Sequence, residues 1–108
     1  MAKLSKTMQE ALDGMMWKYN KAQGTTFETW YMGHPKHYQT WLNEHTKRFG
    51  ERITNNTIER QRRIYEDAVN GIVVTGANLG TLTALERRGI IEILTPSSNG
   101  NRVKLLNV

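Results

Sequence analysis

The chain contains no cysteine. Neither a disulfide framework nor a thiolate-bound zinc can be built from it, and the redox compartment is left open by that absence alone. No apolar run approaches the ~18 residues that a membrane-crossing helix needs. The opening residues, MAKLSKTMQEALD, carry charges where a secretory signal keeps its apolar stretch. These absences lead us to expect a soluble, intracellular, cytoplasmic protein with no membrane partner. Asn55-Asn56-Thr57 matches a glycosylation sequon, but without a secretory signal it is better taken as a helix cap. The sequence also lacks internal repeats and low-complexity segments. A chain of 108 residues suits one domain, residues 1–108, with one modest core. A domain of that size buries about two-thirds of its unfolded surface.

What is present in excess is positive charge, and it is unevenly placed. The formal net charge is +5. Residues 1–35 hold four basic and three acidic groups, residues 36–63 hold seven and three, and residues 64–108 hold four and four. The field therefore belongs to the middle of the chain. A basic middle attracts polyanions, nucleic acid first among them, although many cationic domains only carry a solvated Lys/Arg face.

Periodicity divides the chain into helices and a hairpin. From Leu4 to Asn20, Leu4, Met8, Ala11, Leu12, Met15 and Tyr19 share one stripe of an amphipathic helix. KAQGTTFETWYMGHP then breaks the period, and Phe27, Trp30 and Tyr31 should pin it down as an ordered connection. A second helix opens at Pro35, carries Tyr38, Trp41, Leu42, His45 and Phe49 on one side, and closes at Gly50. The spacing predicts a third helix opening at Asn56, with Glu59 completing a capping box, and ending at Asn70-Gly71. Arg60 and Arg63 point away from its stripe of Ile58, Tyr65, Ala68 and Val69. Ile72 to Val74 is branched and apolar, suited to a strand beside the hairpin.

The last third carries the sharper pattern. A fourth helix is expected over Asn78–Arg88, with Leu79, Leu82 and Leu85 inward and Gly89 as its left-handed cap. Its opposite side then presents Gly80, Thr83, Ala84 and Arg87, with Thr81 and Arg88 at the margins. Small and hydrogen-bonding residues with a terminal arginine suit a major groove, since threonine and alanine meet thymine methyls or phosphates and arginine meets guanine. The same residues also describe a solvent-exposed helix face whose arginines complement the macrodipole. IIEIL and RVKLL alternate as strands around the turn TPSSNGN. Ile91, Ile93, Val103 and Leu105 should face the core. Arg102 and Lys104 alternate outward, with Ser97, Ser98 and Asn99 as polar donors at the tip. A hairpin that merely covers the core would look similar.

TLTALERRGIIEIL resembles the recognition helix and first wing strand of winged helix-turn-helix proteins, especially small regulators of bacteria, phages and mobile elements. The resemblance covers about the last third of the chain. It implies a mainly α fold with a small antiparallel β-hairpin (winged helix-turn-helix, α+β) and an extra helical insertion in the first half. Residues 1–52 would form the N-terminal helices and aromatic connection, and residues 53–108 the helix-turn-helix and wing. It further implies a DNA-contacting helix at Asn78–Arg88 and a wing at Ile91–Leu106. Two features depart from the usual layout. Residues 24–52 insert a connection and a helix, and GIVVTGA is longer than the common three- to four-residue turn.

The functional expectation is double-stranded DNA binding by a transcriptional regulator. Thr81, Thr83 and Arg87 would read bases; Arg88, Arg102, Lys104, Arg60 and Arg63 would hold phosphates. The alternative is a protein-interaction module, such as a phage-encoded inhibitor or adaptor, presenting Phe27, Trp30 and Tyr31 to a host protein. A homodimer is one admissible assembly. An enzyme is not expected: no nucleophile elbow, phosphate loop or HExxH pattern is present, and GANLG lacks the lysine of a phosphate loop. His34, His37 and His45 lie close in sequence, but Pro35 separates the first two and His45 falls on an apolar stripe, so structural roles are expected and no metal or cofactor. Trp30, Tyr31, Tyr38 and Trp41 could stack single-stranded bases, yet their positions on or beside a core stripe favour packing.

Overall fold

The computed structural model describes residues 3–96 and 100–108. Five helices and three strands follow in the order α1 (Lys6–Ala22), α2 (Phe27–Met32), α3 (Pro35–Phe49), α4 (Glu51–Val69), β1 (Ile72–Thr75), α5 (Leu79–Arg87), β2 (Ile91–Thr95) and β3 (Asn101–Leu105). The chain is thus mainly helical with one small antiparallel sheet of order β1-β3-β2.

The apolar stripe of α1 is the spine. Ser5 caps it, its hydroxyl oxygen accepting from the Met8 amide at 3.2 Å. Met8, Met15 and Ala22 are buried there and pack with Ala68, Val73, Leu82, Leu85, Ile91, Val103 and Leu105 in one core. The sheet meets that core through alternate positions, as a period of two requires. Val73 stands opposite Val103 and Ile91 opposite Leu105. A bulge between Ile93 and Thr95 re-aims the end of β2.

The segment Phe27–Met32, expected as a connection, is a short helix, with Thr26 capping it and Gly33 closing it at φ 82°. Phe27 is buried, and aromatic rings extend the packing away from the aliphatic core. Phe27 lies 5.7 Å from Tyr31, 5.9 Å from Tyr38 and 5.9 Å from Tyr65, and Trp41 lies 5.0 Å from Tyr31. The principal neighbours of helix α3 are α2 and α4, and it buries none of its residues fully. The molecule is correspondingly long, 53 × 28 × 20 Å.

Helix α4 corrects the expected start at Asn56. It begins at Glu51, one residue after α3 ends. Gly50, at φ 87°, donates its amide to the Thr46 carbonyl at 2.8 Å and reverses the chain within a single residue. Asn55 and Asn56 are therefore mid-helix, and Thr57 donates its hydroxyl to the Ile53 carbonyl instead of capping. The division between residues 52 and 53 falls inside the first turn of this helix. Thr54, wholly buried, shares a 2.8 Å hydrogen bond with Nδ1 of His45 and ties the two helices together. His34 caps α3, its Nδ1 accepting from the Lys36 amide at 3.0 Å.

Candidate nucleic-acid interface

Helix α5 is positioned from both ends. Asn78 caps its start, Oδ1 accepting from the Gly80 amide at 2.7 Å, and Gly89 at φ 72° takes the left-handed conformation that releases the chain into β2. Leu82 and Leu85 are completely buried against α1 and the sheet. Leu79, expected inward, is 49% exposed, and Ala84, expected outward, packs partly against the core. The exposed side of α5 is thus turned toward Leu79, Gly80, Thr83, Glu86 and Arg87. Only Leu82 and Leu85, three residues apart, lie deep enough to fix the rotation of so short a helix.

The nominated residues divide into groups. Thr81 and Thr83 are half-buried and Arg87 and Arg88 exposed, all on α5 or its cap. The Thr83 hydroxyl donates to the Leu79 carbonyl at 2.8 Å, which leaves its oxygen able to accept from a further donor. Lys104 is exposed on β3, in register with Glu92 of β2 and Ile72 of β1. Arg102, expected to project outward, bonds Asp67 of α4 at 3.2 Å, with about 40% of each side chain exposed. Ser97, Ser98 and Asn99 lie outside the described residues.

Arg60 and Arg63 belong to another neighbourhood. The principal neighbours of α4 are α1, α2, α3 and β1, whereas those of α5 are α1 and β2. Arg63 lies 4.0 Å from Glu59 on an exposed face. Arg60 is near enough to the Tyr31 phenol to oppose the effect of burial, which raises that group above the ordinary tyrosine value. Tyr38 is raised by burial as well, with Arg62 opposing it. The Arg62 guanidinium also sits 4.5 Å from the centre of the Phe27 ring. Two arginines of the basic middle, Arg60 and Arg62, thus stand beside the aromatic cluster. Phe27, nominated as a partner contact, is 3% exposed and cannot be presented, and Trp30 and Tyr31 are half-buried beside it.

Glu86 was not singled out from the sequence. Its carboxylate accepts from the Ile93 amide at 2.8 Å, occupying the outer edge of β2 and clamping the end of α5 to the hairpin. A glutamate seven residues before a strand amide leaves no periodic signature. Lys18 does the equivalent at the other edge of the sheet, donating to the Val74 carbonyl. Among the described residues no helix is long and apolar enough to cross a membrane, and no group of three or more His, Asp or Glu side chains is placed to share a metal ion.

Comparison with protein-family models, with curated proteins and with solved structures gives no match to this chain.

Proposed function

We propose that the protein is a winged-helix DNA-binding protein that lays α5 in the major groove of a duplex with the β2–β3 hairpin against the adjoining backbone, as a transcriptional regulator. The carrying observation is that α5 buries Leu82 and Leu85 on one side and on the opposite side carries Leu79, Gly80, Thr83, Glu86 and Arg87, with small residues at Gly80 and Thr83, Glu86 tied back to the Ile93 amide, and exposed Arg88 at its end. A helix enters the groove only where its outer face is narrow, and glycine and threonine keep it so. Arg87 supplies a planar two-pronged donor for a guanine edge, the Thr83 methyl suits a thymine methyl, and Thr81 borders the contact. Arg88 and Lys104 hold phosphates on either side, while Arg102 is shared with Asp67 and contributes less. Arg60 and Arg63, carried on α4, would touch only DNA that continues past the groove contact.

Alanine substitutions separate reading from holding. Fluorescence anisotropy with a preferred site, obtained by selection from random duplexes, should show Arg87→Ala losing about 1–3 kcal/mol on that site and its discrimination at one base position. Lys104→Ala should weaken all duplexes alike. Folded variants that bind preferred and random duplexes as the wild type does would remove both elements from the interface.

A further inference from the structure

Away from α5, a groove of about 300 Å³ opens between α1 and α4 over β1. Three large apolar side chains left exposed by the fold line it: Trp17 at 63%, Val74 at 45% and Ile64 at 43% exposure. Trp30 from α2 and Arg102 from β3 complete its walls with Ile72 and the stem of Lys21. Val74 and Arg102 are opposite one another in the ladder, so both lie on the sheet face away from Val103.

The charges around the groove are not balanced. Arg102 is engaged by Asp67 at 3.2 Å and Lys18 donates to the Val74 carbonyl. Lys21 holds its ammonium 5.3 Å from the Trp17 ring centre and 5.5 Å from that of Trp30, bridging two indoles. Among the described residues no carboxylate lies within ion-pair distance of Lys18 or Lys21. The groove thus combines aromatic walls with one ammonium that no oxygen partners.

We propose that this groove is a binding site for a small planar aromatic monocarboxylate, its ring lodged among Trp17, Ile64 and Val74 and its carboxylate paired with Lys21. The groove has the dimensions of a small molecule. The α1 wall from Trp17 to Lys21 is about 6 Å long and the α4 wall from Gln61 to Ala68 about 10 Å, at 1.5 Å per residue. A volume near the lower end of small-ligand sites, with mostly apolar walls and a few polar groups, suits a two-ring molecule. A carboxylate suits the charges there: Arg102 is neutralised by Asp67, Lys18 is directed to the Val74 carbonyl while keeping its charge, and Lys21 is the ammonium that stands over the two indole rings. The site stands apart from the DNA-binding reading except at Arg102, which Asp67 engages in either case.

The test uses 2-naphthoate as probe, with 2-naphthalenemethanol as its uncharged counterpart and adenosine monophosphate as an aromatic anion of a different class. Titrations followed by the indole N–H resonances should show 2-naphthoate saturably shifting Trp17 and Trp30 while leaving Trp41 in place. The alcohol should bind roughly 3- to 5-fold more weakly, the range expected of a solvent-accessible charge pair. Lys21→Ala should abolish the difference between acid and alcohol. Ile64→Glu, at an exposed position, should repel the acid more than the alcohol. The proposal is overturned if acid and alcohol bind equally to the wild type, if adenosine monophosphate binds more tightly than the acid, if Lys21→Ala leaves the acid-to-alcohol ratio unchanged, or if the shifts centre on Trp41.

Discussion

Replacing Leu82 and Leu79 by alanine, one at a time, probes the rotation of α5, on which the choice of exposed face depends. Leu82 is fully buried in the core, whereas Leu79, three residues earlier on the same helix, is 49% exposed. Leu→Ala removes three carbons, about 2.4 kcal/mol of transfer free energy at ~0.8 kcal/mol per buried methylene. Leu82 belongs to a core cluster drawn from α1, α4, α5 and the sheet, whose side chains cannot all collapse inward, so a cavity cost brings the total to about 3–4 kcal/mol. At Leu79 about half the transfer applies and no enclosed cavity forms, giving about 1 kcal/mol. In urea unfolding followed by circular dichroism, Leu82→Ala should lower the midpoint about three times as far as Leu79→Ala, with the slope unchanged. Equal losses, or a larger loss at Leu79, would mean that α5 is turned with Leu79 inward, and the groove-facing assignment of Thr83 and Arg87 would fall with it.

Two glycines should respond with opposite signs. Gly89→Ala meets no atom within 4 Å but must hold φ near 72°, so thermal unfolding should report a loss of about 1–2 kcal/mol, while Gly14→Ala, in the exposed face of α1 with equally open surroundings, should gain about 0.5–1 kcal/mol. Tyr31 and Tyr38 are both raised above 10.0 by burial, so in alkaline titration followed by tyrosinate absorbance Tyr31→Phe and Tyr38→Phe should each remove a late-ionising component. Because the unfolded chain gives up those protons first, their contribution to stability is complete below pH 10 and is lost as pH rises through the higher folded values; unchanged titration curves in both variants would contradict the packing of the aromatic cluster.

Much of the fold was legible because it follows from short-range chemistry. Asn78 and Gly89 bracket α5, Pro35 and Gly50 bracket α3, and the alternation of Ile91, Ile93, Val103 and Leu105 set the hairpin. Ile72–Val74 also forms the third strand that its branched composition suggests. The start of α4 was misplaced because Asn56 and Glu59 imitate a capping box, while Gly50 closes one helix and opens the next, a double use that no single-helix pattern encodes. Leu79 and Ala84 were assigned to the wrong sides because a nine-residue helix gives too few turns to fix its phase. The pairing of Arg102 with Asp67 joins residues 35 apart and could not be seen from alternation alone. The separation of Arg60 and Arg63 from α5 has the same origin, since a charge map along the chain does not say which helices are neighbours. Trp17 was the available signal for the α1–α4 groove: it lies off the stripe of Met8, Met15 and Tyr19, where a large aromatic has no core to fill.

If α5 and the hairpin neutralise duplex phosphates, affinity for random duplex DNA must fall as salt rises, because each neutralised phosphate releases counterions. With Arg87 and Lys104 as exposed cations of that face, Arg88 beside them and Arg102 held by Asp67, roughly two to three phosphates are neutralised, which gives a log–log slope of affinity against salt of about −2 to −3. The slope should lie between about −2 and −3 and become shallower by about one in Lys104→Ala. Affinity that is flat with salt, or no binding at micromolar protein in low salt, would contradict that neutralisation.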